Sequence, residues 1–353
     1  MERFEHGGNI YAENAGCIDF SANINPLGLA DSVRLAITDG IKNIINYPDP
    51  QADELKNAIA ARYGVATDEI VLGNGATELF YLFFNAMRPR RVLLPVPSFN
   101  EYERAALAAK AKVNYYNLQS NMDFRIDWDN FNGALMSADC IVIGNPNNPT
   151  GSIITRNELI HLLNELKGGS QWLIVDESFI DFLLYDSRYT VRNLVDEYPH
   201  LLVVQSLTKF YSIPGLRLGF GVANRELAKK LNAAKDVWNV NILAQIAGTA
   251  ALNDLTYQQK SRELLPKLQQ QLVSELAKLR GVIVHKPTVN FLLLDVTGTG
   301  ISSTELTAKL KQNKILVRDC VNYPGIDGQY IRIAVRCAED NAKLLAAMKL
   351  ILA

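Results

Sequence analysis

Four short segments carry residues whose types and spacing suit chemistry. The first is Ser206-Leu207-Thr208-Lys209-Phe210, followed by Pro214-Gly215-Leu216-Arg217; it closes the apolar run Leu201–Ser206. Two hydroxyls, a lysine and an arginine within twelve residues make a compact anion site. A lysine held at an apolar strand end loses part of its basicity and can act as a carbonyl-attacking amine. The second segment, Val175-Asp176-Glu177, ends the run Trp172–Asp176. A carboxylate in such a place is costly unless partnered; a helix cap or an internal ion pair would also satisfy it. The third is Asn145-Pro146-Asn147-Asn148-Pro149-Thr150-Gly151, a loop stiffened by its prolines. In the fourth, Gly73-Asn74-Gly75-Ala76-Thr77-Glu78, a glycine-rich turn opens a helix and offers N–H groups to a phosphate. The same residues also suit a plain tight turn with Thr77 as N-cap.

An amine for an imine, a carboxylate for a pyridinium nitrogen, an amide for a phenolate oxygen and a phosphate cup together are the requirements of pyridoxal phosphate. These groups fall at the ends of predicted strands, where open α/β sheets bind their ligands. The predicted strands are Glu69–Gly73, Arg91–Pro95, Cys140–Gly144, Trp172–Asp176, Leu201–Ser206 and Leu218–Ala223. Helical patterns lie between them at Thr77–Met87, Asn100–Ala111 and Arg156–Leu166. That alternation predicts a mostly parallel central sheet covered on both faces. Beyond residue 224, long helical patterns run from Glu226 to Asn253 and from Ser261 to Arg280. Strands at Val289–Val296, Ile315–Arg318 and Tyr330–Val335 then alternate with helices at Ser303–Asn313 and Glu339–Ile351, which predicts a smaller α/β domain. The expected division is an N-terminal arm over 1–30, a large cofactor-binding domain over 31–240 and a small domain over 241–353.

In this order and spacing the segments resemble the fold-type I pyridoxal-phosphate enzymes, in the branch of the histidinol-phosphate aminotransferases. The resemblance covers nearly the whole chain and implies roles. Lys209 would attach the cofactor, Asp176 would keep the ring nitrogen protonated, and Asn148 would donate to the ring's phenolate oxygen. Gly75, Ala76, Thr77, Ser206, Thr208 and Arg217 would hold the phosphate. Phe99 or Tyr102 would stack on the ring. Tyr47 would reach the neighbouring subunit's phosphate, which implies a homodimer. One position departs from the pattern: the tyrosine usual three residues after the aspartate is Phe179 here.

The segments His6-Gly7-Gly8-Asn9, Asp19 to Gly28, Arg318 to Gly325 and Tyr330 to Arg336 narrow the resemblance to decarboxylases of that branch acting on a phosphorylated amino acid. The substrate implied is L-threonine O-3-phosphate, giving (R)-1-aminopropan-2-yl phosphate for the cobalamin nucleotide loop. L-Serine O-phosphate, or amino transfer of the histidinol-phosphate type, is the alternative. Arg318 and Arg332 would supply bidentate recognition of the substrate's anionic groups, His6 and Asn23 would bond its phosphate, and Arg336 would be a structural ion-pair partner.

Composition excludes other classes. The 353 residues carry 36 Lys+Arg against 37 Asp+Glu, so neither nucleic acid nor an anionic membrane is an expected partner. No apolar run approaches the length of a membrane span. Cys17, Cys140, Cys320 and Cys337 are scattered, with no metal-site spacing. The beginning of the chain has no apolar stretch of the secretory kind. The expectation is a soluble cytoplasmic enzyme with no metal.

Overall fold

A computed structural model describes residues 4, 6–326 and 328–353. Residues 1–3 and 5, part of the expected arm, and residue 327 lie outside the described residues. The first half of the chain forms β1 (Ile18–Asp19), α1 (Asp31–Gly40), α2 (Asp53–Tyr63), β2 (Ile70–Asn74), α3 (Ala76–Met87), β3 (Arg91–Val96), α4 (Asn100–Ala108), β4 (Lys112–Asn117), α5 (Trp128–Leu135), β5 (Cys140–Gly144), α6 (Arg156–Leu166) and β6 (Trp172–Asp176). There follow β7 (Leu201–Ser206), β8 (Leu218–Ala223), α7 (Arg225–Ala234), α8 (Ile242–Asn253), α9 (Leu255–Leu276), β9 (Ile283–Val284), β10 (Phe291–Asp295), α10 (Ser303–Gln312), β11 (Ile315–Leu316), β12 (Arg318–Asp319), β13 (Tyr330–Ala334) and α11 (Ala338–Ile351).

The central sheet has seven strands in the order β2-β8-β7-β6-β5-β3-β4. It is the mostly parallel sheet expected, with β8 alone running against both neighbours. Strands β5, β7 and β8 are buried along their whole length because apolar side chains leave both faces. Phe80, Phe83, Phe84 and Tyr102 fill one face, and Phe131, Phe220, Leu159 and Leu163 belong to the core of the other. Crossovers in such a sheet bring the carboxyl ends of the parallel strands to one edge. Asp176 closes β6, Ser206 closes β7, and the Asn145–Gly151 loop leaves β5.

The second sheet, β12-β13-β10-β9, is antiparallel. The continuous strand expected over Ile315–Arg318 is divided: β11 pairs with β1 in parallel, while β12 pairs with β13. The helix expected from Glu226 to Asn253 is also divided, between α7 and α8. Asp236 bonds the Trp238 amide, Asn239 donates to the Leu72 carbonyl, and Asn241 caps α8 by accepting from the Ala244 amide. Side chains that compete for backbone groups end helices. Strand β4 and helix α5 lie where the sequence pattern predicts no element. No described helix is long and apolar enough to cross a membrane.

Candidate active site

The phosphate cup forms where β2 meets α3. Gly75 takes φ +82°, a conformation open to glycine, and α3 starts at the next residue. Gly75 is therefore the N-cap, and Thr77 lies inside the first turn. Arg217 lies directly against this turn: a Cβ at Gly75 would stand 2.3 Å from its Nη2. Arg217 itself sits at φ +61° and donates to the Pro214 carbonyl at 3.1 Å. From the end of β7 and the turn after it come the buried hydroxyls of Ser206 and Thr208, 2.7 Å apart. Gly219 of β8 also lets the backbones close up, since a Cβ there would lie 2.5 Å from the Ala76 amide nitrogen. The helix N-terminus, two hydroxyls and a guanidinium thus converge.

Beside the cup is Lys209, whose Nζ donates to Ser206 Oγ at 3.3 Å. Burial pulls its pKa down to about 8; Asp176 opposes the shift, and Arg217 and Arg332 add to it. Asp176 is buried and accepts from the Tyr102 hydroxyl at 2.6 Å and from the Ser178 amide and hydroxyl at 3.0 and 2.5 Å. Ala76, Thr77, Phe80, Phe99, Tyr102, Asn148, Asp176, Ser178, Phe179 and Lys209 line one cavity. The two aromatic candidates separate here. Tyr102 is turned edge-on to Phe99, centroids 5.6 Å apart, with its hydroxyl engaged on Asp176. Phe99 carries no such bond and presents an apolar ring to the cavity. Phe179 is buried with its edge on Phe291, and Lys209 Nζ lies 6.0 Å above its centroid.

The small antiparallel sheet brings the arginines. Arg318 and Arg332 are paired residues on β12 and β13, and both are buried. Arg318 donates to Asn322 Oδ1 at 2.7 Å and lies over the Tyr323 ring. Arg332 donates to Asn148 Oδ1 and to the Ser21 carbonyl, while its buried Nε has no partner among the described residues. Burial lowers its pKa, and Arg318 contributes to the shift. The bond to Asn148 Oδ1 fixes the amide so that Nδ2 remains to donate. Asn23 is buried, with its carbonyl holding the Asn290 amide and its own Oδ1 without a partner among the described residues. His6 lies at the rim: Nε2 is 2.7 Å from Glu101 Oε1 and its ring is 5.6 Å from that of Phe99. Arg336 bonds Asp340 and the Asp19 carbonyl, a structural pairing as expected.

Tyr47 stands apart from this cluster. It is 76% exposed and stacks on Trp238 at 4.4 Å. Sequence reasoning missed Ser178, Ser21, Asn322 and Glu101. Of these, Ser178 was the one with a local signal, because a serine two residues after an aspartate can close a turn onto its carboxylate.

The donor set fits pyridoxal phosphate. An amine of lowered basicity, a buried carboxylate, an oriented amide and an apolar ring line one cavity beside an anion cup. The profile of the aminotransferase class I and II family matches residues 15–351. The chain belongs to that family of pyridoxal-phosphate enzymes. Among its relatives is the threonine-phosphate decarboxylase of Salmonella typhimurium, 36% identical over 98% of this chain and 96% of that protein. The histidinol-phosphate aminotransferase of Clostridium acetobutylicum superposes with a TM-score of 0.87 at 33% identity, covering 94% of this chain and 98% of that one. The L-threonine-O-3-phosphate decarboxylase of Porphyromonas gingivalis superposes with a TM-score of 0.82 at 29% identity, over the same shares of the two chains.

Proposed function

We propose that this protein decarboxylates L-threonine O-3-phosphate to (R)-1-aminopropan-2-yl phosphate, the linker of the cobalamin nucleotide loop. The carrying observation is the Arg318–Arg332 pair. Their facing positions on adjoining strands place two buried guanidiniums side by side, each able to meet an anionic group with two parallel hydrogen bonds. A substrate bearing a phosphate and a carboxylate supplies two such groups. Threonine-phosphate decarboxylases among the relatives support the choice.

Bound here, pyridoxal phosphate would supply an electron-withdrawing ring that accepts the electron pair released at the substrate's α-carbon. Lys209 would attach it, Asp176 would face its nitrogen, and Asn148 Nδ2 its phenolate oxygen. Gly75, Ala76, Thr77, Ser206, Thr208 and Arg217 would hold its phosphate, and Phe99 would cover its face. The protein's own part is positioning. Arg318 and Arg332, with Asn23 and His6, would hold the substrate's two anionic ends so that the bond to the carboxylate breaks, rather than the bond to the α-hydrogen. Lys209 Nζ, with a pKa of about 8, carries a proton at neutral pH and would return it to the α-carbon.

The reading includes three parts along the chain, an arm over 1–30, a large domain over 31–240 and a small domain over 241–353. It includes a homodimer in which Tyr47 serves the neighbouring site, supported by the exposure of Tyr47, Ile44 and Ile45. A cytoplasmic location suits the free cysteines.

Amino transfer is the second reading, favoured by the likeness to the Clostridium acetobutylicum aminotransferase and weakened by the absence of a hydroxyl at Phe179. Purified enzyme given L-threonine O-phosphate or L-serine O-phosphate, with and without 2-oxoglutarate, separates the cases. CO2 release with higher kcat/KM for the threonine ester, independent of 2-oxoglutarate, is expected. Preference for the serine ester would change the substrate, a difference of one methyl worth only ~1–3 kcal/mol. Glutamate formation without CO2 would overturn the decarboxylase reading.

A further inference from the structure

Asp176 is surrounded by donors that no binding role has yet absorbed. The Tyr102 hydroxyl bonds one carboxylate oxygen at 2.6 Å, and the Ser178 amide and hydroxyl bond the other at 3.0 and 2.5 Å. Tyr102 is almost wholly buried, and its pKa is raised well above the ordinary value by burial and by Asp176, so it remains a donor throughout the working range. Its path to Asp176 passes Gly144, the residue paired with Asp176 across β5 and β6. A Cβ at Gly144 would approach the Tyr102 hydroxyl to 3.2 Å, tighter than ordinary packing. A glycine of β5, a tyrosine of α4 and a serine of the turn after β6 therefore serve one carboxylate.

We propose that Tyr102 and Ser178 are positioning residues that keep the Asp176 carboxylate negatively charged toward the cofactor's ring nitrogen, and so keep the shared proton on that nitrogen. The proton between a carboxylate and a pyridine nitrogen has two homes. Donors to the carboxylate stabilise its charged form and favour the nitrogen. Without them the proton moves onto Asp176, and the ring loses electron-withdrawing power. Tyr102 then contributes through its hydroxyl rather than its face. This rests on the assignment of Asp176 to the ring nitrogen, and it is independent of the identity of the substrate.

The test uses holoenzyme without substrate. The visible absorbance of the bound cofactor is titrated with pH in the parent, Tyr102→Phe, Ser178→Ala and Asp176→Asn. A less protonated ring nitrogen makes the nitrogen joined to Lys209 more basic. Tyr102→Phe should therefore raise the titration midpoint by about one unit and weaken cofactor affinity about tenfold, the worth of one charge-assisted hydrogen bond. With substrate, kcat should fall while KM stays within about twofold, because no substrate contact is removed. Ser178→Ala should move the midpoint in the same direction, and it decides the matter if Tyr102→Phe fails to fold. Folded variants that titrate like the parent, while Asp176→Asn shifts, would overturn the proposal. If Asp176→Asn does not shift either, the assignment of Asp176 falls and this inference with it. Neither outcome depends on CO2 release, so failure here and failure of the decarboxylase reading are told apart.

Discussion

Lys209 is the residue on which the chemistry turns, and its titration is directly measurable. Burial lowers its pKa to about 8, against an unfolded lysine near 10.4. Only the neutral amine attacks a carbonyl, so attachment of pyridoxal phosphate to apoenzyme should accelerate as pH rises and level off above about 8. Stopped-flow absorbance between pH 6 and 10 checks this; a profile still rising at pH 10 would mean an ordinary lysine. Arg318 gives a second expectation. It donates to Asn322 Oδ1 and lies over the Tyr323 ring. Arg318→Gln should leave the cofactor spectrum unchanged and lower kcat/KM for the phosphorylated substrate by at least about 30-fold, as loss of a buried charge partner does. Steady-state kinetics beside a spectrum of the same sample would show it.

At the scale of elements, the β2–α3 turn shows how backbone and side chain share one function. Gly75→Ala puts a methyl 2.3 Å from Arg217 Nη2 at φ +82°. The struck atom is the far end of a flexible side chain, so the fold should survive while the phosphate grip loosens. Cofactor affinity measured by fluorescence should weaken at least tenfold, with apoenzyme Tm falling by only a few degrees, consistent with the ~1–3 kcal/mol cost of a backbone conformation that only glycine adopts readily. The glycine-rich turn was legible in the sequence because it follows an apolar strand and precedes a helical pattern. The strands β5, β6, β7 and β8 were legible with their observed ends for the same kind of reason: continuous apolar runs broken by polar, glycine or proline residues. The division of Ile315–Arg318 was not legible. Nothing local says that Ile315 pairs with Ile18 while Arg318 pairs with Arg332, since both partners are far away in the chain. Nor was the hold of Arg332 on Asn148, or of Tyr102 on Asp176, written in any spacing. The sequence named Phe99 and Tyr102 as equal candidates for the ring face, and the hydroxyl contact with Asp176 distinguishes them.

For the whole molecule, the outstanding question is why Tyr47 lies outside. Ile45 is 87% exposed, and Ile41, Ile44, Tyr47, Val237 and Trp238 are exposed as well. An apolar patch of that kind marks an interaction surface, and Asn239, in the same segment as Trp238, donates to Glu78 of α3, the helix that opens the phosphate cup. A second copy docked there would bring its Tyr47 toward the cup and cover the patch by the same contact in reverse, as a two-fold interface requires. Subunit mixing tests this without a structure of the dimer. Tyr47→Ala and Lys209→Ala chains, each inactive alone, are unfolded, mixed in equal amounts and refolded. If Tyr47 acts across the interface, half the dimers are mixed and each holds one complete site, so about a quarter of parental activity should return. If Tyr47 serves its own chain, no mixed dimer contains a complete site, and the mixture should stay as inactive as its components. Ile45→Lys should yield monomers by sedimentation and abolish the recovery, which ties the shared site to this surface.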